Sequence, residues 1–219
     1  MSRLKMILLG IGLFIASYLS IGYFFHLIIF PEIRPAPHTY FEPGSQFGSE
    51  MLGDTLTVVS RENGDYRLKL QFAPGGEGPP LHIQTGWDET FKVESGNLGL
   101  LVNGEEKILE PGEDYTIRRG IPHKPYNPTD ETVVCEVVMP AQFAVYLSQV
   151  YGYIDEDEKN MQPPAMIFQM ALFNQYFDSY LGEGPPVFVQ KALNFLIIPA
   201  ARMIGYKSFY EKFRIDKQT

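Results

Sequence analysis

Short stretches of β-forming residues, separated by tight turns, follow one another from residue 55 to residue 138. This pattern limits the fold more than any other feature of the chain. Two of the turns are Asn-Gly pairs, Asn63-Gly64 and Asn103-Gly104, which favour two-residue hairpin loops. The stretches with strand character are residues 55–60, 65–72, 81–84, 89–94, 98–102, 105–109, 115–117, 122–126 and 132–138. So many short strands at close spacing predict a mainly β sandwich or barrel.

Glycines, histidines and a glutamate recur in this region at fixed spacings. Residues 76–96 have the pattern G-x5-H-I-Q-x4-E-x6-G, and residues 112–127 have the pattern G-x5-R-x-G-x2-H-x3-N. These patterns resemble the two motifs of the cupin superfamily, G-x5-H-x-H-x4-E-x6-G and G-x5-P-x-G-x2-H-x3-N. The chain departs from them at Gln84, in place of the second histidine, and at Arg118, in place of the proline. The resemblance covers about residues 55–140 and implies a cupin-type double-stranded β-helix, or jelly-roll barrel.

The resemblance also implies a metal site, because the matching positions of cupins converge on one ion. Those positions are His82, Gln84, Glu89 and His123. Imidazoles and a carboxylate suit the divalent transition metals Fe, Mn, Ni, Zn or Cu, whereas an amide is a poorer ligand. His82, Glu89 and His123 could therefore hold the ion alone, as a face of two histidines and one carboxylate. The sequence leaves open the alternative of a metal-free network of hydrogen bonds.

Two further residues are candidates for substrate contacts. Trp87, the only tryptophan, lies between Gln84 and Glu89 and could form an aromatic wall at the rim of the pocket. Arg118 could meet an anionic substrate at the mouth of the barrel. Ordinary packing of the tryptophan and a solvated turn at the arginine are the alternatives.

A run without charged residues, residues 6–30, precedes the β-rich region. As a helix it would be about 38 Å long, enough to cross a hydrocarbon core of about 30 Å. The run is long, and aromatic in its second half, so we interpret residues 1–34 as an uncleaved single-pass anchor rather than a signal peptide. Arg3 and Lys5 favour a cytoplasmic amino terminus, with the cupin domain extracytoplasmic.

The remaining segments complete the predicted organisation. Residues 35–54 are rich in Pro and Gly and are predicted to be a linker, followed by the barrel over residues 55–140. Residues 141–219 are predicted to form a helical tail, in which a second helix runs from Pro163-Pro164 to about residue 181. A third, apolar stretch, residues 187–206, could span the membrane, lie in its plane or pack on the protein.

The composition excludes one class of function, nucleic-acid binding. The net charge of −8 and the lack of a helix-turn-helix module before the barrel argue against nucleic acid. The expected partners are a membrane and a small-molecule ligand, and the resemblance implies a homodimer. The first hypothesis is a membrane-tethered cupin that binds a small molecule, with no activity assigned. The second is a metal-dependent enzyme, a dioxygenase or isomerase, and the third is an assembly role for the helices after Pro163.

Overall fold

A computed structural model describes residues 2–32 and 34–215 of the chain. Its α-helices are α1 Arg3–Phe24, α2 Ala141–Glu156, α3 Ala165–Phe177 and α4 Val187–Met203. Its strands are β1 Gln46–Ser49, β2 Asp54–Glu62, β3 Asp65–Phe72, β4 His82–Gln84, β5 Glu89–Ser95, β6 Leu98–Val102, β7 Glu105–Leu109, β8 Asp114–Ile117, β9 His123–Tyr126, β10 Val133–Pro140 and β11 Ser179–Leu181. Each strand predicted from the sequence is present, with bounds moved by at most two residues.

The strands form two antiparallel sheets that face each other. One has the order β1-β2-β3-β10-β5-β8, and the other has the order β11-β4-β9-β6-β7. The predicted mainly β, jelly-roll fold with an N-terminal apolar helix and C-terminal helices is confirmed. In the part of the chain that the structure describes, backbone hydrogen bonds do not close the two sheets into one continuous barrel.

Alternating burial along the strands builds the core between the sheets. Strand β3 shows the pattern most clearly, because Tyr66, Leu68, Leu70 and Phe72 are buried while the residues between them are partly exposed. Strand β10 pairs with β3 along its length and alternates in the same way. Because the side chains of a strand alternate with a period of two, every second side chain lies in the core.

The two Asn-Gly turns form the hairpins that the sequence predicts. Asn63 and Gly64 have φ values of 51° and 94° between β2 and β3. Asn103 and Gly104 have φ values of 52° and 83° between β6 and β7. Positive φ at both central residues is the requirement of the hairpin turn whose twist matches that of the strands, and asparagine and glycine tolerate it best.

The predicted linker differs from the structure in its second half. Strand β1 pairs with β2 and extends the larger sheet, and Phe47 within it is buried. Phe41 is also buried, with its ring stacked 4.8 Å from that of Phe47. The Tyr66 hydroxyl accepts a hydrogen bond from the backbone N–H of Phe41 at 3.1 Å. Burial of these aromatic rings attaches the segment to the barrel. The sequence did not predict this strand because four residues are too few to show a period of two.

The second C-terminal helix is shorter than predicted. Helix α3 ends at Phe177, and β11 then pairs with β4 in the smaller sheet. Asp178 adopts a left-handed conformation with φ 42° at the helix end, which turns the chain into the strand. The Gln190 side chain bonds the backbone N–H and carbonyl of Leu181, each at 3.0 Å. These contacts hold residues 179–181 in the sheet rather than in a helix.

The N-terminal helix packs against α4. Helix α1 and the π-helical turn that follows it, Arg3–Ile29, form a 27-residue helix in which an 18-residue window has a mean hydropathy of 2.0. Within the described residues, this is the one helix long and apolar enough to cross a membrane. The Tyr18 hydroxyl donates a hydrogen bond to the carbonyl of Leu196 at 2.6 Å. Helix α4 therefore packs on the protein. This is one of the three alternatives predicted for residues 187–206.

Candidate metal centre

The two facing sheets bring the predicted ligands together. His82 on β4 and His123 on β9 are directly paired across neighbouring strands of the smaller sheet. Their ring centroids are 4.3 Å apart. Glu89 is the first residue of β5 in the larger sheet, and its carboxylate reaches the histidines across the core. The site therefore depends on both sheets.

The donor atoms lie close enough to share one ion. One ligand atom from each of His82, Glu89 and His123 can be chosen so that all lie within 4.8 Å of one another. Nε2 of His123 is 2.9 Å from Oε2 of Glu89. Two ligands bound about 2.1 Å from a metal and at right angles are about 3 Å apart, so this spacing fits neighbouring positions in one coordination sphere.

Backbone carbonyls fix the orientation of both imidazoles. Nδ1 of His82 lies 3.0 Å from the carbonyl oxygen of Pro80. Nδ1 of His123 lies 3.0 Å from the carbonyl oxygen of Ile121. A carbonyl only accepts hydrogen bonds, so each ring carries its proton on Nδ1 and directs Nε2 into the site. This is the arrangement by which proteins orient histidine ligands for metals.

Gln84 belongs to the site but does not act as a third imidazole would. Its side chain is 2% exposed, and its amide N–H donates to Oε2 of Glu89 at 3.0 Å. Its Oε1 is buried and has no hydrogen-bond partner within the described residues. The amide thus orients the carboxylate and leaves one unsatisfied oxygen, which a cation or a ligand donor would satisfy.

Burial and mutual charge set the protonation of the three groups. Burial and the positive charge of His123 lower the pKa of His82 to about 4. Burial opposes protonation of His123, but the hydrogen bond and charge of Glu89 outweigh it and raise the pKa of His123. Burial also opposes ionisation of Glu89, but its contacts with His123 prevail and lower the pKa of Glu89. A neutral His82 and an ionised Glu89 are the forms that bind metals.

The two predicted substrate contacts lie outside this group of ligands. Trp87 is partly buried and packs its ring 5.2 Å from that of Phe143 on α2. Arg118 is exposed, and its guanidinium donates to Asp88 at 2.7 Å. Arg119 donates to the same carboxylate at 3.0 Å. A role for Trp87 or Arg118 in substrate binding stays a prediction.

One contact that supports the site was not predicted. Asp178 accepts hydrogen bonds from the backbone N–H of Thr85 at 2.8 Å and from its hydroxyl at 2.6 Å. Thr85 follows Gln84 directly, so this contact fixes the end of the strand that holds His82 and Gln84. Nothing in the sequence connects residues so far apart along the chain, and only the three-dimensional fold reveals the contact.

Comparison with known proteins agrees with this geometry. Residues 68–139 match the family model described as Cupin domain. The chain is 32% identical over 124 residues to Oxidoreductase iacF from Pestalotiopsis fici, a match that covers 52% of this chain and 57% of the relative. The chain thus spans less than two thirds of that relative's length.

Solved structures of low sequence identity are also similar in part. A sugar phosphate isomerase from a cupin superfamily, from Silicibacter pomeroyi, is 23% identical and covers 40% of this chain and 59% of its own, with a TM-score of 0.36. The polyketide cyclase RemF from Streptomyces resistomycificus is 22% identical and covers 51% of this chain and 80% of its own, with a TM-score of 0.38. Together with the two motifs and the facing sheets, the match to the Cupin domain model identifies residues 68–139 as a cupin domain.

Proposed function

We propose that this chain is a membrane-tethered cupin that holds a divalent transition metal on His82, Glu89 and His123 and brings a small molecule to it. The contact between His123 and Glu89 is the main support. The proton on Nδ1 of His123 leaves a lone pair on Nε2, which faces a carboxylate oxygen at 2.9 Å. Two lone pairs at this distance repel each other unless a cation lies beside them, and that cation is a metal ion or a second proton.

The donor set suits Fe, Mn, Ni or Zn. Two imidazoles and one carboxylate on one face leave coordination positions open for a substrate. When bound, such a metal would supply Lewis acidity, and iron or manganese would add redox chemistry. Gln84 would orient Glu89, and the backbone carbonyls of Pro80 and Ile121 would keep both imidazoles in place.

The open coordination positions and the relative support a proposed reaction class. A metal with open positions is consistent with a dioxygenase or an isomerase. The name of the relative from Pestalotiopsis fici, Oxidoreductase iacF, favours oxidation chemistry. A small molecule would approach from the side of His82, because that ring keeps part of its surface exposed whereas His123 and Glu89 are buried. Trp87 and Arg118 would contact the substrate at this opening.

Elemental analysis tests whether the chain binds a metal ion. The full chain, purified in a neutral detergent and incubated with Fe(II), Mn(II), Ni(II) or Zn(II), should retain about one equivalent of metal after desalting. His123→Ala should retain at least tenfold less, because loss of a ligand costs more than 1.4 kcal/mol of binding free energy. His38→Ala is the matched control, since this exposed imidazole contacts Gly64 outside the site.

A metal-free site is the second candidate, because Gln84 and His123 already satisfy one oxygen of Glu89. In that case His123 is protonated and the pocket binds a small molecule through hydrogen bonds. Less than a tenth of an equivalent of every metal tested in the wild-type chain would reject the metal proposal and leave this one. Equal metal retention in the wild type and in His123→Ala would exclude the assigned ligands.

A further inference from the structure

A cavity lies outside the barrel, where α1, α3 and α4 meet. Its volume is about 360 Å³, and its lining is mainly apolar. Leu19 from α1 and Phe195 and Ile198 from α4 contribute apolar walls. One charged side chain, that of Arg202 near the end of α4, reaches the same cavity. The cavity thus combines a hydrophobic surface with a single cation.

Within the part of the chain that the structure describes, Arg202 lacks a compensating anion. The residue is 9% exposed, and its Nη2 donates to Oε1 of Gln175 at 2.9 Å. Its Nε is buried and has no hydrogen-bond partner in the described part of the chain. No carboxylate among the described residues forms a salt bridge with it. A buried guanidinium with an unsatisfied N–H is costly unless an anion binds there.

An acidic group in the neighbourhood of Arg202, Glu32, already has other partners. Glu32 and Arg202 both lie near His26, whose Nδ1 is 3.9 Å from Oε1 of Glu32. The carboxylate of Glu32 accepts hydrogen bonds from Arg34 at 3.1 Å and from the backbone N–H of Ser208 at 2.9 Å. This leaves two guanidinium groups and one carboxylate in the neighbourhood, and hence an excess of positive charge suited to an anion.

The position of the cavity indicates the source of that anion. Arg202 lies near His26, which is three residues, or roughly 5 Å, from the end of the apolar helix Arg3–Ile29. With this helix in a membrane, that level lies close to the boundary between the hydrocarbon core and the lipid headgroups. Phe188 on α4 is 74% exposed, and Phe195 is 57% exposed. Phe195 lines the cavity together with Leu19 of α1, so acyl chains around α1 would also cover this part of α4.

We infer that this cavity binds the anionic headgroup of a membrane lipid. The Arg202 guanidinium, which borders the cavity, holds the phosphate oxygens through its N–H groups, and the apolar walls take the upper part of an acyl chain. A guanidinium is well suited to this task, because its planar fork matches two oxygens of a phosphate. The inference rests on the proposed insertion of α1 into a membrane.

Native mass spectrometry of the full chain in a neutral detergent tests the inference. Phosphatidylglycerol and phosphatidylcholine with the same acyl chains are added in separate titrations. The wild-type chain should bind one phosphatidylglycerol about tenfold more tightly than phosphatidylcholine, because the choline cation offsets the phosphate charge whereas phosphatidylglycerol keeps a net negative charge for Arg202. Arg202→Gln should remove this preference, and Arg202→Lys should keep part of it. Arg61→Gln, which removes an arginine on the surface of the β domain, should leave it unchanged.

Leu19→Trp provides a second variant in case Arg202→Gln does not fold. This substitution should weaken the binding of both lipids, because the larger side chain fills the cavity while the arginine stays in place. An equal affinity of the wild type for the two lipids would overturn the inference, as would an unchanged preference in a folded Arg202→Gln chain. Displacement of the lipid by millimolar inorganic phosphate would instead assign the site to a soluble anion. Fractionation of cells distinguishes a chain that does not bind the lipid from a chain that is not attached to the membrane. A chain that is not attached would be found in the supernatant and not in the membrane pellet.

Discussion

Glu89 joins the two sheets of this protein through one oxygen atom. Its Oε2 accepts from Gln84 at 3.0 Å and lies 2.9 Å from Nε2 of His123. Both partners belong to the smaller sheet, whereas Glu89 belongs to the larger one. The same side chain therefore defines the site and connects the two layers of the fold.

Asp54 is a second buried carboxyl group, at the start of β2, and it is 4% exposed. Its Oδ2 accepts a hydrogen bond from the Tyr151 hydroxyl at 2.5 Å, and its Oδ1 has no partner within the described residues. Burial raises the pKa of Asp54 to about 6, although the bond from Tyr151 partly opposes this. The folded protein therefore binds a proton on Asp54 at a pH where the unfolded chain has lost it.

The contribution of Asp54 to the free energy of unfolding should consequently fall as the pH rises from about 4 to about 6. Below this range both states carry the proton, and above it the folded state must hold a buried charge, at a cost on the order of 2 kcal/mol. Asp54→Asn should remove this part of the pH dependence, as measured by urea unfolding of the full chain in detergent. Asp130→Asn, an exposed control, should keep it. The same pH profile in the wild type and in Asp54→Asn would refute the assignment.

At the scale of elements, the contact between α1 and α4 depends on a glycine. A Cβ placed on Gly22 would lie 2.4 Å from Cβ of Pro199 and 2.5 Å from its Cα, so no larger side chain fits there. Gly10 on the same helix has open space at the corresponding position. Close approach of two helices through small residues is a common means of packing in membranes.

Gly22→Leu should therefore separate the helices and lower the free energy of unfolding by roughly 1 to 3 kcal/mol. Gly10→Leu introduces the same side chain in the same helix and should have little effect. Thermal unfolding of both full-length variants in one detergent measures the difference. Equal midpoints for the two variants would show that α1 and α4 do not pack through Gly22.

Local features of the sequence predicted most of the strands but not all of their partners. Asn63-Gly64 and Asn103-Gly104 indicate hairpins because the signal lies within the turn itself. Strands β1 and β11 were missed, because each is short and its stability comes from distant residues. Asp178 illustrates this, since its hydrogen bonds to Thr85 end the predicted helix early. For the candidate site, the two motifs predicted the convergence of His82, Glu89 and His123, whereas the hydrogen bond from Gln84 required coordinates.

At the scale of the whole molecule, the chain combines an apolar helix with an acidic β domain. The residues between the ends carry a net charge of −12, because residues 1–34 and 163–219 each carry +2 and the whole chain carries −8. A chain with basic ends and an acidic body is consistent with ends that lie near a membrane surface. A homodimer remains a prediction from the family resemblance.

Cysteine labelling tests the proposed topology. Cys135 is the only cysteine and is fully buried, so a new exposed cysteine is the main site for a membrane-impermeant maleimide. In right-side-out vesicles, Glu105→Cys in the β domain should react at once, whereas Ser2→Cys should react only after permeabilisation. The native chain provides the background. Immediate labelling of Ser2→Cys with protection of Glu105→Cys would reverse the topology, and immediate labelling of both would exclude a spanning helix.

X-ray absorption of the zinc-loaded full chain tests the central claim most directly, because it counts imidazole ligands. The account predicts two imidazoles together with oxygen donors around one zinc ion, as expected from His82, His123 and Glu89. His82→Ala should reduce the number of imidazoles to one. A spectrum without imidazole scattering, or the same spectrum in the wild type and in both histidine variants, would contradict the account.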